Sequence, residues 1–293
     1  MAGWTAAELP SFTGRTAIVT GANSGLGEVT ARELARVGAH VILAVRDMRK
    51  GEAAAQKMAG GTTGHLEVRQ LDLQDLSSVR QFADDIDHAD VLINNAGIMA
   101  VDYALTADGF ERHIGTNHLG HFALTNLLLP KLTDRVVTVS SLMHHFGYIS
   151  LKDLNWQSRP YSRWLAYSQS KLANLLFTSE LQRRLDSVGS PVRALAAHPG
   201  WSHTNLQGRS GRRVSDAVVL AADRVVSTDA HFGARQTLYA VSQDLRGDTF
   251  VGPQFGFYGR TQPTWRSPQA RRASTAAALW ELSEQLTDTK FPL

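Results

Sequence analysis

Tyr167 and Lys171 stand four residues apart in Ala166-Tyr167-Ser168-Gln169-Ser170-Lys171-Leu172-Ala173-Asn174, a stretch with strong helical character. On a helix this spacing puts the phenol and the ammonium on one face, where the cation lowers the phenol pKa from its ordinary value near ~10 toward operating pH. Such a pair can give a proton to a substrate oxygen or take one from it. The same spacing recurs at Tyr148 and Lys152, so the motif alone does not choose between the two. Gly147 precedes that match, Ile149 and Ser150 lie inside it, and a strand pattern ends only a few residues earlier. These features predict a loop that lines the substrate pocket, and leave Tyr167, at the start of a helix, as the proton-transferring candidate.

A second group of residues suits phosphate. Thr20-Gly21-Ala22-Asn23-Ser24-Gly25-Leu26-Gly27 follows an apolar strand pattern and leads straight into a helix. Glycines let the backbone turn sharply and approach a pyrophosphate, while the helix N-terminus offers unpaired N–H donors and the positive end of its dipole. The spacing is G-x-x-x-G-x-G rather than the usual dinucleotide G-x-G-x-x-G, but strand, glycine turn and helix come in the required order.

Those side chains need a scaffold, and the apolar pattern supplies one. Val-, Ile- and Leu-rich runs at Thr16 to Thr20, Val41 to Val45, Leu66 to Leu71, Val91 to Asn94, Val136 to Ser140 and Val192 to Ala197 read as buried parallel strands. A last short strand is expected near Thr249 to Val251. Helices are predicted over Leu26 to Val37, Met48 to Met58, Leu76 to Ile86, Gly109 to Leu129, Tyr167 to Leu185 and about Ala270 to Leu286. The βαβ alternation predicts an α/β fold, a single-domain Rossmann-type doubly wound parallel sheet of about seven strands with helices on both faces. Ligands of such sheets bind beyond the carboxyl ends of the strands, so motifs that directly follow a strand fall in the site. With no linker or composition break, residues 1–293 are expected to form one dinucleotide-binding and catalytic domain.

The glycine turn, together with Asn94-Asn95-Ala96-Gly97 after the fourth strand, resembles the short-chain dehydrogenase/reductase family, and the likeness runs from Gly14 to Pro199-Gly200. It implies a nicotinamide cofactor with Asn23, Ser24 and Leu26 along its phosphates, Asp72 and Leu73 beside the adenine, and Asn95, Ala96 and Gly97 beside the ribose. Asp72 read by itself is nearly as well explained as a helix-capping carboxylate. Tyr167 takes the general acid/base role by this resemblance, and Lys171 both tunes the phenol and grips the nicotinamide ribose. Ser141, the second residue of Ser140-Ser141, matches the serine that polarises the substrate oxygen. Asn117 in Gly115-Thr116-Asn117-His118-Leu119-Gly120-His121-Phe122 matches the residue that anchors a water relay to Lys171. Pro199 and Gly200 resemble the segment that meets the nicotinamide carboxamide, Thr204 a cofactor-binding threonine, and residues 205–214 the mobile substrate lid.

A free adenine ribose is held by a carboxylate, whereas a 2′-phosphate calls for a cation. The family's decisive carboxylate position falls on Val45 and its cation position on Arg46, which favours NADP(H), since a guanidinium offers a planar fork of donors. Asp47 keeps NAD(H) open as a ribose ligand, although it is better placed to cap the next helix. No metal is expected, because Ser141 and Tyr167 can stabilise an alkoxide and His118, His121, His144 and His145 do not make a zinc cluster.

Ala44-Val45-Arg46-Asp47 with Lys50-Gly51-Glu52, the Asn117 segment and Leu279-Trp280-Glu281-Leu282-Ser283 resemble the retinol-dehydrogenase-like branch. Twenty-six residues separate Ser141 from Tyr167, as in that branch, with Leu151 to Arg163 as the insertion responsible. The expected activity is carbonyl–alcohol interconversion on a small molecule, lipid-like or aromatic, with 252–268 bordering the substrate. A catalytically idle NADP(H)-binding sensor or scaffold, or a lyase or epimerase, are the rival readings. Long helices at Gly109 to Leu129 and Tyr167 to Leu185 resemble those through which members form homodimers or homotetramers. Thirty Lys and Arg against 27 Asp and Glu are scattered, which argues against nucleic acid. The absence of cysteine excludes disulfides and thiolate chemistry and suits a reducing cytoplasm, and Met1 to Phe12 carries no apolar run of a leader or integral membrane span.

Overall fold

The computed structural model describes residues 3–200 and 229–293. Among these, β1 (Thr16–Thr20), β2 (His40–Val45), β3 (His65–Gln70), β4 (Ala89–Asn94), β5 (Leu132–Val139), β6 (Arg193–Ala197), β7 (Phe250–Pro253) and β8 (Thr261–Pro263) form one sheet. Their order is β3-β2-β1-β4-β5-β6-β7-β8, with every pairing parallel except β7 with β8. The order reverses between β1 and β4, which opens a crevice at their carboxyl ends.

Alternation along each central strand feeds two cores. Ile18 and Leu92 point into one, with Phe122, Leu172 and Trp280; Val19 and Ile93 point into the other, with Leu34 and Leu238. The first core lies under α3 (Leu76–Asp84), α4 (112–128), α5 (Arg163–Ser187) and α7 (Ala273–Thr287). The second lies under α1 (Gly25–Arg36), α2 (Met48–Ala59) and α6 (Ala230–Ser242). Burial on both faces explains why these strands read as continuous apolar runs. β3 differs: it is an edge strand, and its residues are exposed or only half-buried.

Several elements depart from the sequence pattern. An eighth strand lies inside the stretch 252–268, where Gly256 and Gly259 take positive φ of 79° and 106° and let the chain fold back on β7. β5 begins at Leu132, because the buried Arg135 is neutralised by Asp134 and donates to the carbonyls of Ala240 and Gln243. α5 begins at Arg163, capped by the Ser162 hydroxyl, so Tyr167 sits in its second turn rather than at its start. α4 is not regular: Gly115–Leu119 is a π-helical segment inside it.

α4 and α5, the helices that resemble the family's oligomer helices, carry a helix of the same chain. Trp280 of α7, 2% exposed, lies edge-on to Phe122 at 4.8 Å and stacks on Phe177 at 5.7 Å, while Ser283 bonds His118 Nε2 at 2.9 Å. The chain's own α7 therefore packs across these two helices. Among the described residues, no helix is long and apolar enough to cross a membrane.

Candidate active site

A cleft of about 320 Å³ opens at the crevice between β1 and β4. Gly21, Asn23, Ser24, Gly25, Leu26 and Gly27 form one wall. Gly21 and Gly25 take φ of 66° and 56°, and a Cβ on Gly27 would collide with the Gly21 carbonyl and the Asn95 amide. The Ser24 hydroxyl does not cap α1, so the N–H groups of its first turn are left to an external acceptor. A glycine-lined, uncapped helix start in a cleft fits a pyrophosphate. At the other edge of the turn, the Thr20 hydroxyl accepts from the N–H groups of Asn95 and Ala96, each at 2.9 Å, which ties β4 to β1.

Arg46, Asp47, Lys50, Asp72, Leu73 and Gln74 line the far end of the cleft. Arg46 is exposed and has no hydrogen-bond or ion-pair partner among the described residues. Asp47 is spoken for: it caps α2 through the Lys50 N–H at 3.2 Å, and its carboxyl is held below the ordinary range chiefly by that bond. Asp72 does not cap a helix. It accepts from the Gln74 N–H at 2.9 Å in a turn, and Asp75 caps α3 instead. Lys50 and Gln74 were not named as cofactor contacts from sequence; Lys50 follows Arg46 by four residues, a spacing that would have pointed to it.

Tyr167 and Lys171, one turn apart on α5, both reach the cleft wall, as do Asn95, Ala96, Gly97 and Pro199. Burial pushes the Tyr167 phenol up to about 12, and the neighbouring Ser141 hydroxyl pulls the other way. The expected lowering of that phenol by Lys171 is not seen. Lys171 Nζ donates to the Val139 carbonyl at 3.0 Å and stands 5.8 Å from the phenol ring centre, while burial lowers its own pKa to about 8. Of the two serines, Ser140 spends its hydroxyl on the Lys171 carbonyl at 2.8 Å, which leaves Ser141 beside the phenol.

Asn117 lies in the π-helical segment, a feature that often marks functional sites. It is fully buried behind the cleft wall rather than in it. Its amide clamps Ile98 at both backbone atoms, at 2.8 and 3.0 Å, and donates to Ser170 Oγ at 2.9 Å. The clamp holds Gly97 against Lys171, where a Cβ would lie 3.4 Å from Nζ. His121 bonds the Asn117 carbonyl at 3.2 Å and Thr20 Oγ1 at 2.9 Å, so it serves packing.

Tyr148 is 68% exposed and Lys152 is exposed too, and neither lines this cleft. At Gly200, φ is 74° and a Cβ would meet the Phe257 carbonyl oxygen at 2.8 Å. Gly256 lies against Leu142, so the β7–β8 hairpin stands next to both Gly200 and the residue after Ser141. Thr204 and the segment 205–214 lie outside the described residues. Sequence also missed Glu111, a fully buried carboxylate that accepts from the N–H groups of His113 and Ile114, each at 3.0 Å. It also takes the Tyr161 hydroxyl at 3.0 Å, tying the 151–163 insertion to α4. As the N-cap of α4 it was legible locally, but its Tyr161 partner, fifty residues on, was not.

The family model described as short chain dehydrogenase matches residues 15–214. Human retinol dehydrogenase 13 is 43% identical over 292 residues, spanning 95% of this chain and 86% of that protein. The crystal structure of an uncharacterised protein from Mycobacterium paratuberculosis is 70% identical and covers 100% of both chains, with a TM-score of 0.89. A short chain dehydrogenase from Burkholderia cenocepacia in complex with NADP shares the fold, with a TM-score of 0.64, 21% identity, and coverage of 82% of this chain and 96% of that one. The chain thus belongs to the short-chain dehydrogenase/reductase family, in its retinol-dehydrogenase-like branch, and is an oxidoreductase acting on CH–OH groups.

Proposed function

We propose that the protein interconverts a carbonyl and an alcohol using NADP(H), with Tyr167 as general acid/base. The observation that carries this reading is one cleft lined by a phosphate-suited glycine turn at one side, a guanidinium with no partner among the described residues at one end, and a buried Tyr167 and Lys171 at the other. When bound, the nicotinamide supplies or accepts the hydride. In the reductive direction the protonated phenol gives its proton to the substrate oxygen, and the Ser141 hydroxyl donates a hydrogen bond to that same oxygen. A phenol held near 12 stays protonated at neutral pH, yet a developing alkoxide is a stronger base and can still take its proton. Lys171 would hold the ribose with its ammonium, and Asn117, by clamping Ile98, fixes Gly97 beside that ammonium. Pro199, Gly200 and Thr204 would meet the nicotinamide end.

Arg46 supports NADP(H) over NAD(H), because Asp47 already serves as a cap. The name of the retinol dehydrogenase relative supports a retinoid or another lipid-like or aromatic carbonyl as substrate. The hairpin beside Gly200 and Leu142 would border it. A cysteine-free composition fits a reducing cytoplasm. The test is purified protein with NADPH and a panel of retinal, aromatic and aliphatic carbonyls, followed at the nicotinamide absorbance. Substrate-dependent loss that Tyr167→Phe abolishes is expected, and no such loss with any carbonyl overturns the reading.

A further inference from the structure

We propose that His144 is a positioning residue that holds Ser141 against Tyr167 through a neutral ring bonded on both sides, and that couples this placement to the segment after β8. The inference rests on the reading of Ser141 as the hydroxyl that meets the substrate oxygen.

Ser141 stands between the end of β5 and a 3₁₀ turn, Leu142–Phe146, in extended backbone with φ of −155° and ψ of 158°. Its hydroxyl accepts from the Met143 N–H at 3.2 Å. Its orientation therefore follows from where its carbonyl is anchored, and His144 anchors it twice, through its backbone N–H at 3.1 Å and through its ring, which ties it beyond the turn. Nδ1 of the ring lies 2.6 Å from the Ser141 carbonyl oxygen, and Nε2 lies 3.1 Å from the Ser267 nitrogen. A backbone N–H can only donate, so Nε2 carries the lone pair; the proton is then on Nδ1, where it donates to the carbonyl. Two partners of fixed polarity thus specify one neutral tautomer.

The surroundings keep it so. The ring is fully buried, with Phe250 edge-on at 5.6 Å and the His145 ring at 4.1 Å. The titratable and charged groups facing it are His145 on its own turn, Arg266 before Ser267, and His198 after β6. Arg266 carries a fixed positive charge, so a protonated His144 would face a like charge and would also turn an N–H against the Ser267 N–H. Burial, with His145 and Arg266, holds its pKa down near about 4, against the opposing pull of the Ser141 carbonyl. The turn itself is seated on α5, since a Cβ on Gly147 would meet the Ser168 carbonyl at 2.5 Å. A shift of Ser267 would therefore be passed through one rigid ring to Ser141.

Full-length protein, NADPH, and all-trans-retinal and 4-nitrobenzaldehyde as probes test this. His144→Asn keeps a donor near Nδ1, and should retain kcat within about threefold; His144→Gln moves its amide toward Nε2, and should lose about tenfold or more at nearly unchanged NADPH KM. In a Ser141→Ala background, His144→Gln should add less than about a further twofold, because the residue it positions is gone. An equal loss in both backgrounds, or a His144→Gln enzyme as fast as the wild type, overturns the proposal while leaving the catalytic reading intact. Wild-type protein inactive on both probes overturns that reading and this proposal together. Independently of turnover, ¹⁵N–¹H correlation of histidine-labelled protein at neutral pH should show His144 as the Nδ1–H tautomer, assigned by its absence in His144→Asn. The Nε2–H tautomer or an imidazolium would overturn it even in a variant that folds poorly.

Discussion

Lys171 directs its ammonium at the carbonyl oxygen of Val139, 3.0 Å away, while the ring centre of Tyr167 stands 5.8 Å off. The two residues share a helix face as their spacing requires, yet the tertiary contact of the cation is with the end of β5. Its effect on the phenol is correspondingly weak, and burial sets both titrations. The Lys171 ammonium is present below about 8 and lost above it, whereas Tyr167, near 12, remains a phenol throughout the neutral range. The kcat/KM for carbonyl reduction should therefore be flat below about pH 8 and decline above it. Lys171→Arg, which keeps its charge, should carry activity to higher pH. A wild-type profile with no decline up to pH 10 would show that the ammonium is not required.

Tyr167→Phe should reduce kcat/KM by about 10²–10⁴-fold, the range for loss of a general acid. Tyr148→Phe, on the exposed loop outside the cleft, should stay within about twofold of wild type, because it removes no buried contact. Steady-state rates of the two variants, side by side, decide between the two matches to the same motif.

Arg46→Asp should raise the KM for NADPH about tenfold or more, by replacing a cationic fork with a like charge near a phosphate, and should leave that for NADH little changed or improved. Equal effects on the two cofactors would count against a role for Arg46 at the 2′-phosphate.

Trp280→Ala should destabilise the fold by about 3–5 kcal/mol, the usual cost of removing a buried aromatic. The ring is 2% exposed and contacts Phe122 and Phe177, so its loss opens a cavity between α4, α5 and α7. Urea titration gives the change. Because α7 packs across the helices resembling the family's oligomer helices, light scattering should show whether loosening it alters the solution mass.

Acid should destabilise the protein before its carboxylates titrate. His118, His121 and His198 are buried and neutral, each held near about 3 by desolvation against an ordinary value of 6.5. Below pH 6.5 the unfolded chain binds protons that the native state refuses, so stability falls as pH falls from 6.5 toward 3. The loss between pH 7 and 5 should be on the order of a few kcal/mol. An unchanged urea midpoint across that interval would show that these rings take up protons in the folded state.

Sequence alone determined the scaffold and the wall of the cleft. Continuous apolar runs bounded by turns read as buried strands, which all but the edge strand β3 are, and the glycine turn follows the first of them, because local sterics and burial favour both. Gly21 to Gly27, Asn95 to Gly97 and the Tyr167–Lys171 pair fell into one crevice for that reason. Asp47 as a helix cap was equally local, since a cap and its helix are neighbours in the chain. What followed from long-range contacts was decided only by the tertiary structure. Lys171 turns to Val139, Asn117 clamps Ile98 from within a π-helical segment, and Glu111 takes the Tyr161 hydroxyl from 50 residues away. β8 pairs through three residues in a Gly- and Pro-rich stretch, and Trp280 closes a face left open by the helical pattern. Spacing specifies what can share a helix face or a strand end; which partner a buried cation, amide or ring then takes depends on what the rest of the chain brings against it.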